Sequence, residues 1–185
     1  MSHSIQRALV TGLGAVTPIG NDVDSYWEGL RTGRNGIGTI QRFDPSDLII
    51  QIAGEVDNFD VSPYLDKKVA RRTGRFAQFA AAAGMQAMVD SGIELTEENR
   101  DNIGAVIATS GDAFDMGPQW NVYQERGSAK VDPFIITRMG QHMAAARVAR
   151  QLGIRGPNTT INTACASGTD ALGHALNLIR LKHAD

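Results

Sequence analysis

The sequence predicts a layered α/β fold, and three short apolar segments are the main evidence for it. They are "RALVTGLG" at residues 7–14, "NIGAVIATSG" at 102–111 and "PNTTINTA" at 157–164. Each is bounded on at least one side by glycine or proline, as short buried strands are. Longer segments with helical patterns separate them, and such alternation is typical of a sheet that helices cover in layers.

The first half of the chain adds two predicted helices and a surface strand. Asn21 or Asp22 can cap the first helix, and Gly33 ends it. Residues 49–56, "IIQIAGEV", alternate in part and predict a surface strand or one arm of a hairpin. From residue 63 to 92 the pattern is helical, and its alanine-rich second half predicts a helix packed on several sides.

The second half of the chain continues the alternation. Residues 112–130 are largely polar, so we expect an irregular segment there. A helix is predicted to begin after Pro133 and to end near Gly153, and Cys165 is predicted to open the last helix. No strand follows before Asp185, so we expect the chain to be one part of a longer fold.

Composition and charge narrow the classes of function. The formal net charge is −2 over 185 residues, which favours neither nucleic acid nor a membrane surface as a partner. No apolar run approaches the roughly 20 residues of a membrane-spanning helix, and the first residues lack the apolar core of a secretion signal. A single cysteine cannot form a disulfide within the chain. We therefore expect a cytoplasmic protein.

Cys165 is the candidate nucleophile. A thiol in the first turn of a helix faces unpaired backbone N–H groups and the positive end of the helix dipole, and both stabilise a thiolate. The small neighbours Ala164, Ala166 and Gly168 let a substrate carbonyl approach the sulfur, where backbone amides can stabilise an oxyanion. The alternative is a buried cysteine that acts as a small hydrophobic residue.

The histidines offer Cys165 no partner. A cysteine nucleophile needs a base or a charged group beside it. His174 lies nine residues further on the same predicted helix, roughly 180° around it, and His183 lies ~27 Å along that helix. His142 is expected inside a helix as a packed polar residue, and His3 lies in the N-terminal tail. If Cys165 is catalytic, we expect its histidines elsewhere.

The segment around Cys165 resembles a known family. "TACASG", preceded by "LGIRGPNTTIN", is similar to the active-site segment of the β-ketoacyl-acyl-carrier-protein synthases of the elongating type. "ALVTGLGAVTPIGNDVDSYWEGLRTGRNGI" and "MQAMVDSGIELTEENRDNIGAVI" resemble the same family in the same order. The resemblance implies a thiolase-like, layered αβαβα fold of two related halves. Residues 1–185 resemble the first half, an incomplete N-terminal domain, and the family's catalytic histidines and lysine belong to the second half.

The resemblance also implies a reaction. Cys165 would accept an acyl group from acyl carrier protein as a thioester, with Ala164 and Ala166 beside the substrate. Malonyl carrier protein would then lose carbon dioxide, and its enolate would attack the thioester to give a β-ketoacyl chain. The family further implies a homodimer, and we expect neither a cofactor nor a metal. The alternatives are a ketosynthase of a polyketide pathway and a half-domain that folds or dimerises without turnover.

Two places depart from the family pattern. Phe134-Ile135 stands where relatives often have paired aromatic residues, and Asp112 and Phe114 interrupt a loop that is glycine-rich in relatives. Both places resemble parts of the acyl-chain pocket and of its dimer-side wall. The sequence therefore leaves the preferred acyl-chain length open.

A cluster of cations, "KKVARRTGR", stands out in a nearly neutral chain. On the sequence alone, a solvated helix face is the preferred interpretation. The resemblance implies a docking surface for acidic carrier protein, to which Lys68, Arg71 and Arg72 match best because residues three and four apart share a helix face. Arg126 and Lys130 are candidates to extend that surface.

Two other motifs are set aside. "VTGLGAVTPIG" is similar to a dinucleotide-binding loop, but Thr17 and Pro18 separate its glycines from the helix that such a loop must open. "TACASG" lacks the flanking glycines of a hydrolase nucleophile elbow. Neither motif adds a second candidate site.

Overall fold

A computed structural model describes residues 7–111 and 116–185 of the chain. The helices in this part are α1 (Val23–Arg31), α2 (Lys67–Ala70), α3 (Arg75–Ser91), α4 (Met116–Arg126), α5 (Ile135–Met139), α6 (Met143–Leu152) and α7 (Ser167–Arg180). The strands are β1 (Gly38–Thr39), β2 (Ile52–Ala53), β3 (Ala105–Ala108) and β4 (Asn158–Ile161). Single 3₁₀ turns lie at Ser128–Lys130 and Ala164–Ala166.

The central sheet within the described residues is the parallel pair β3–β4. Ala105 lies opposite Asn158, and Ala108 lies opposite Ile161. Helices α6 and α7 both pack on this pair, and α3 packs along α6. Val148 of α6 joins Ala105 in a buried cluster beneath the sheet. The predicted layered α/β fold is therefore confirmed.

Helices α3 and α6, which contact each other, both bury small side chains. Ala77, Ala81 and Ala82 of α3 are at most 1% exposed, and so are Ala144 and Ala145 of α6. Side chains this small let two helices approach closely, and dense packing then supplies the dispersion contacts. The alanine-rich helix is buried as predicted.

The first predicted strand is wrong. In the described residues this segment joins no strand, and Leu9 is 73% exposed rather than buried. Side chains of α3 accept hydrogen bonds from one backbone N–H group near the end of this segment and one just after it. The Leu13 N–H donates to the Asp90 carboxylate at 2.8 Å, and the Ala15 N–H donates to the Gln86 side chain at 2.9 Å. The apolar pattern therefore predicted a buried strand that the structure does not contain.

Both ends of α1 and the end of α3 lie where the sequence predicts them. Asp22 caps α1, its carboxylate accepting from the Ser25 N–H while the Ser25 hydroxyl accepts from the Asp22 N–H. Gly33 and Gly92 follow α1 and α3 with φ of 66° and 67°, the left-handed conformation that glycine adopts without strain. Strands β1 and β2 pair antiparallel, so the predicted hairpin arm is also confirmed in shortened form.

The helix predicted over residues 63–92 is interrupted. Helix α2 ends at Ala70, and α3 begins only after Gly74. Between them, the Thr73 hydroxyl donates to the Val69 carbonyl at 2.8 Å. Gly74 passes so close to the backbone carbonyl of Arg138 that a Cβ would overlap it. A contact with a segment more than 60 residues away therefore accompanies the break, and the local pattern cannot reveal it.

Three further predictions fail between residues 112 and 153. The segment expected to be irregular contains α4, in whose first turn Pro118 is tolerated because an N–H there has no helical partner. The single helix expected after Pro133 is divided at Gly140 into α5 and α6, and it ends at Gly153 as predicted. His142 precedes α6 and is exposed, so it is neither inside a helix nor packed.

Three residues named in the sequence interpretation, His3, Asp112 and Phe114, lie outside the described residues. Within residues 7–111 and 116–185, each helix is too short or too polar to cross a bilayer.

Candidate active site

Cys165 lies on the turn that joins β4 to α7. The turn is a single 3₁₀ turn, and α7 begins two residues after Cys165 rather than at it, which corrects the predicted helix start. The thiol is free and exposed. A buried cysteine acting as a hydrophobic residue is therefore excluded for this structure.

The backbone before Cys165 has an unusual conformation. Ala164 has φ of 52°, in the left-handed region that residues with a Cβ adopt only at a cost. The Ser167 hydroxyl donates to the Ala164 carbonyl at 2.7 Å. Ala164 and Ala166 are exposed on either side of the cysteine, so the approach to the sulfur is open.

The turn has the parts of a nucleophile site but lacks a base. Backbone N–H groups in the first turn of α7 lie just after the thiol and are suited to stabilising an oxyanion. Within the described residues, no side chain forms a hydrogen bond with the Cys165 thiol. His174 is half-buried on α7, and His142 and His183 are exposed. That the catalytic partners of Cys165 lie elsewhere stays a prediction.

An apolar groove of about 570 Å³ begins at the first turn of α7. It runs between α7, β3 and α3, and Leu172 on its border is 71% exposed. Its floor includes the consecutive residues of β3, from Val106 to Ala108. The groove therefore exposes one side of the central sheet.

Lys68, Arg71 and Arg72 meet on one surface, which we name the cationic concavity. Its volume is about 920 Å³, and its lining comprises Lys67, Lys68, Arg71, Arg72, Asp132, Phe134 and Arg138. The three residues predicted for docking are exposed in it. Lys67 and Arg138 also line it, and the sequence interpretation missed both. Lys67 lies inside the quoted cluster, whereas Arg138 comes from α5 and could not be found from local spacing.

Phe134 is part of this concavity. The Arg72 guanidinium lies 4.0 Å from the centre of its ring, a cation–π contact. Asp132 accepts a hydrogen bond from the Phe134 N–H at 2.9 Å and pairs with Arg138 at 3.2 Å. The aromatic ring thus joins the cations of α2 to the start of α5.

The other predicted site residues lie apart from the cationic concavity. Ile135 lines a separate apolar groove of about 400 Å³ with Trp120 and Tyr123. Arg126 ends α4 and Lys130 ends the 3₁₀ turn after it, both exposed and outside the lining of the cationic concavity. The role of Phe134 and Ile135 in an acyl pocket, and of Arg126 and Lys130 in docking, stays a prediction.

Within the described residues, no group of three or more histidine, cysteine, aspartate or glutamate side chains is placed to hold a metal ion.

Comparison with known proteins relates this geometry to a family. Residues 6–185 match the family model "Beta-ketoacyl synthase, N-terminal domain". The chain belongs to the β-ketoacyl synthase family. It is 44% identical over 176 residues to 3-oxoacyl-[acyl-carrier-protein] synthase 2 of Synechocystis sp., covering 95% of this chain and 42% of that protein. The chain therefore spans less than half the length of this relative.

Solved ketosynthase structures agree with the fold. The ishigamide ketosynthase/chain length factor superposes with a TM-score of 0.83 at 32% identity, covering 96% of this chain and 45% of that one. AntDE:AntF, a type II polyketide synthase acyl-carrier protein in complex with its ketosynthase, gives 0.80 at 19% identity, covering 96% and 47%. The second likeness shows the fold alone. The chain thus has the first half of the thiolase-like α/β fold of the ketosynthases.

Proposed function

We propose that this chain supplies the nucleophile half of a 3-oxoacyl-acyl-carrier-protein synthase of fatty-acid elongation. The observation that carries the proposal is the exposed thiol of Cys165 on a left-handed turn directly before a helix. The thiolate attacks an acyl thioester, a tetrahedral oxyanion forms, and the carrier-protein thiol leaves as the acyl group stays on Cys165. The acyl group is then held on Cys165 as a thioester until a carbon nucleophile attacks it.

Condensation itself needs groups beyond the described residues. Loss of carbon dioxide from malonyl thioester develops enolate charge, which requires a donor or cation beside the carbonyl oxygen. The described histidines form no hydrogen bond with the Cys165 thiol, so they do not complete the site. We propose that the second half of the family fold provides this stabilisation.

We propose acyl carrier protein as the macromolecular partner, docking at the cationic concavity. Five cations and a single acid line it, and carrier proteins are acidic. Complementary charge of this kind speeds encounter and orients a partner more than it adds to final affinity. The solved AntDE:AntF complex pairs a ketosynthase with an acyl-carrier protein and supports this class of partner.

We also propose a homodimer and a cytoplasmic location. The groove that contains Ile135 exposes large apolar side chains, with Trp120 61% and Ile136 65% exposed, and a second copy of the chain is the occupant that we infer. Trp120→Glu should then produce monomers in sedimentation analysis, whereas Arg150→Glu on α6 should not.

The proposed cytoplasmic location rests on the cysteine, because a single free thiol is suited to a reducing compartment.

Product analysis tests the proposed function. The purified chain is incubated with acyl- and malonyl-carrier protein, alone and together with the second half of a family member. We expect β-ketoacyl product only in the combined sample. Turnover by the chain alone, at the rate of a whole synthase, would show that we have misread the base. No product in either sample, despite a folded complex, would favour a non-catalytic half-domain.

A further inference from the structure

We propose that Ser167 is a positioning residue for Cys165. Its hydroxyl group holds Ala164 in the left-handed conformation and thereby fixes the direction in which the next residue, Cys165, presents its thiol. The inference rests on the proposed role of Cys165 as the nucleophile, but it concerns a different residue and a different measurement.

Ser167 is unusual in its surroundings. Its side chain is buried, with 5% of the residue exposed, although Ala164, Cys165 and Ala166 before it are all exposed. Among the described residues, only Ser167 and Thr73 are buried polar residues. A buried hydroxyl group must find partners, since leaving it unpaired is costly.

The Ser167 hydroxyl bridges the turn on both sides of Ala164. It accepts from the Thr163 N–H at 2.8 Å and donates to the Ala164 carbonyl at 2.7 Å. The first group belongs to the peptide before Thr163 and the second to the peptide after Ala164. One hydroxyl therefore restrains the torsions of two consecutive residues, including the φ of 52° at Ala164.

A second tie reaches the same turn. The Thr163 hydroxyl donates to the Asp170 carboxylate at 2.5 Å, which attaches Thr163 to the first turn of α7. The hydrogen bonds of Ser167 and of Asp170 both link Thr163, just after β4, to α7, and Cys165 lies between these residues in the chain. Glycine would adopt this conformation without support, but alanine has a Cβ and must be held in it.

The consequence falls on Cys165. Without the hydroxyl, the Thr163 N–H loses its acceptor and Ala164 is free to leave the left-handed region. The peptide that carries Cys165 then rotates, and the thiol no longer keeps one direction relative to the amides of α7. Its reactivity should fall while the rest of the fold is retained.

The test measures the second-order rate at which iodoacetamide alkylates the chain, in which Cys165 is the only thiol. We expect Ser167→Ala to lower this rate about tenfold, the effect of losing roughly one hydrogen bond. Thr73→Val is the matched control, because it removes the other buried hydroxyl group, which donates to Val69. It should leave the rate within about twofold while changing the unfolding temperature.

Rescue separates positioning from general stability. Ala164→Gly should restore the alkylation rate in the Ser167→Ala background, because glycine needs no hydroxyl group to remain left-handed. If Ser167→Ala alone unfolds the chain, the comparison is made between Ala164→Gly and the double variant, which should react alike. An unchanged or faster rate in Ser167→Ala, or a double variant slower than Ala164→Gly, would overturn the inference. Failure of acyl transfer with normal alkylation would instead overturn only the proposed function.

Discussion

The turn at Cys165 and the cationic concavity are assembled in opposite ways. The turn is contiguous, since its side-chain hydrogen bonds all lie within the nine residues from Asn162 to Asp170. The concavity joins α2 to the beginning of α5, more than 60 residues away. A site made within one segment keeps its geometry as long as its own hydrogen bonds persist. A site made from two segments also depends on the packing that brings them together.

That packing is visible at two contacts. Gly74 lies against the carbonyl of Arg138, and the Thr137 hydroxyl, which donates to the Phe134 carbonyl at 2.8 Å, also lies 3.4 Å from the Arg72 carbonyl oxygen. Changes at these contacts should disturb the concavity and spare the turn. Changes within the turn should do the reverse. The following predictions test this separation, beginning with the largest expected effect.

Cys165→Ser should abolish reaction at the turn and leave the concavity intact. A serine hydroxyl is far less nucleophilic than a thiolate without a base beside it. With the second half of the fold supplied, cerulenin-type electrophiles should label Cys165 alone in peptide mass mapping, and the variant should neither be labelled nor condense acyl chains. Carrier-protein binding should be unchanged. A serine variant that still condenses acyl chains contradicts the assignment.

Gly74→Ala should damage the concavity. The added Cβ overlaps the Arg138 carbonyl, and overpacking of this kind costs about 1–3 kcal/mol of unfolding free energy. Urea unfolding measures the loss. Gly117→Ala is the matched control, since a Cβ there meets no atom within 4 Å. The two regions are coupled, contrary to our account, if Gly74→Ala also slows alkylation of Cys165 in protein that remains folded.

Charge reversal in the concavity should weaken docking. Replacing Lys68, Arg71 and Arg72 together with Glu should reduce carrier-protein binding about tenfold at low salt, because exposed charges act on encounter and orientation. The difference should shrink as salt rises. Surface plasmon resonance measures it, with Arg150→Glu on α6 as the control. Reaction with a small acyl thioester should hardly change. Unaltered carrier-protein binding would show that these cations form a solvated helix face and not a docking surface.

Phe134→Leu should have the smallest effect. It removes the aromatic face under the Arg72 guanidinium and keeps an apolar side chain of similar length. An exposed cation–π contact contributes about 0.5–1 kcal/mol, so carrier binding should weaken about two- to fivefold. If acyl-chain preference changes and carrier binding does not, Phe134 acts in the acyl pocket instead.

The same contrast explains what the sequence could predict. The cap at Asp22, the helix end at Gly33 and the thiol before a helix depend on neighbours in the chain, and all three were found. The break at Gly74 and the cation Arg138 depend on contacts between distant segments, so both were missed. Helix α4 was missed although Met116, Trp120 and Tyr123 recur at helical spacing, because the polar residues between them were given more weight than that period.

The first strand failed for a related reason. Its apolar pattern predicted burial, but the structure gives its backbone donors side-chain partners on α3 and leaves Leu9 and Val10 exposed. An apolar pattern shows that a segment can be buried. It does not identify the element that will pair with it.

Intact-mass analysis after incubation with acyl carrier protein tests the central claim, that Cys165 accepts the acyl group, most directly. The chain is combined with the second half of a family member and given acyl carrier protein without the malonyl form. We expect one acyl group per chain, located on the peptide that contains Cys165 and released by neutral hydroxylamine as a thioester is. The acyl group should be absent from Cys165→Ser. An acyl group on any other residue, or one that persists in Cys165→Ser, would contradict the account.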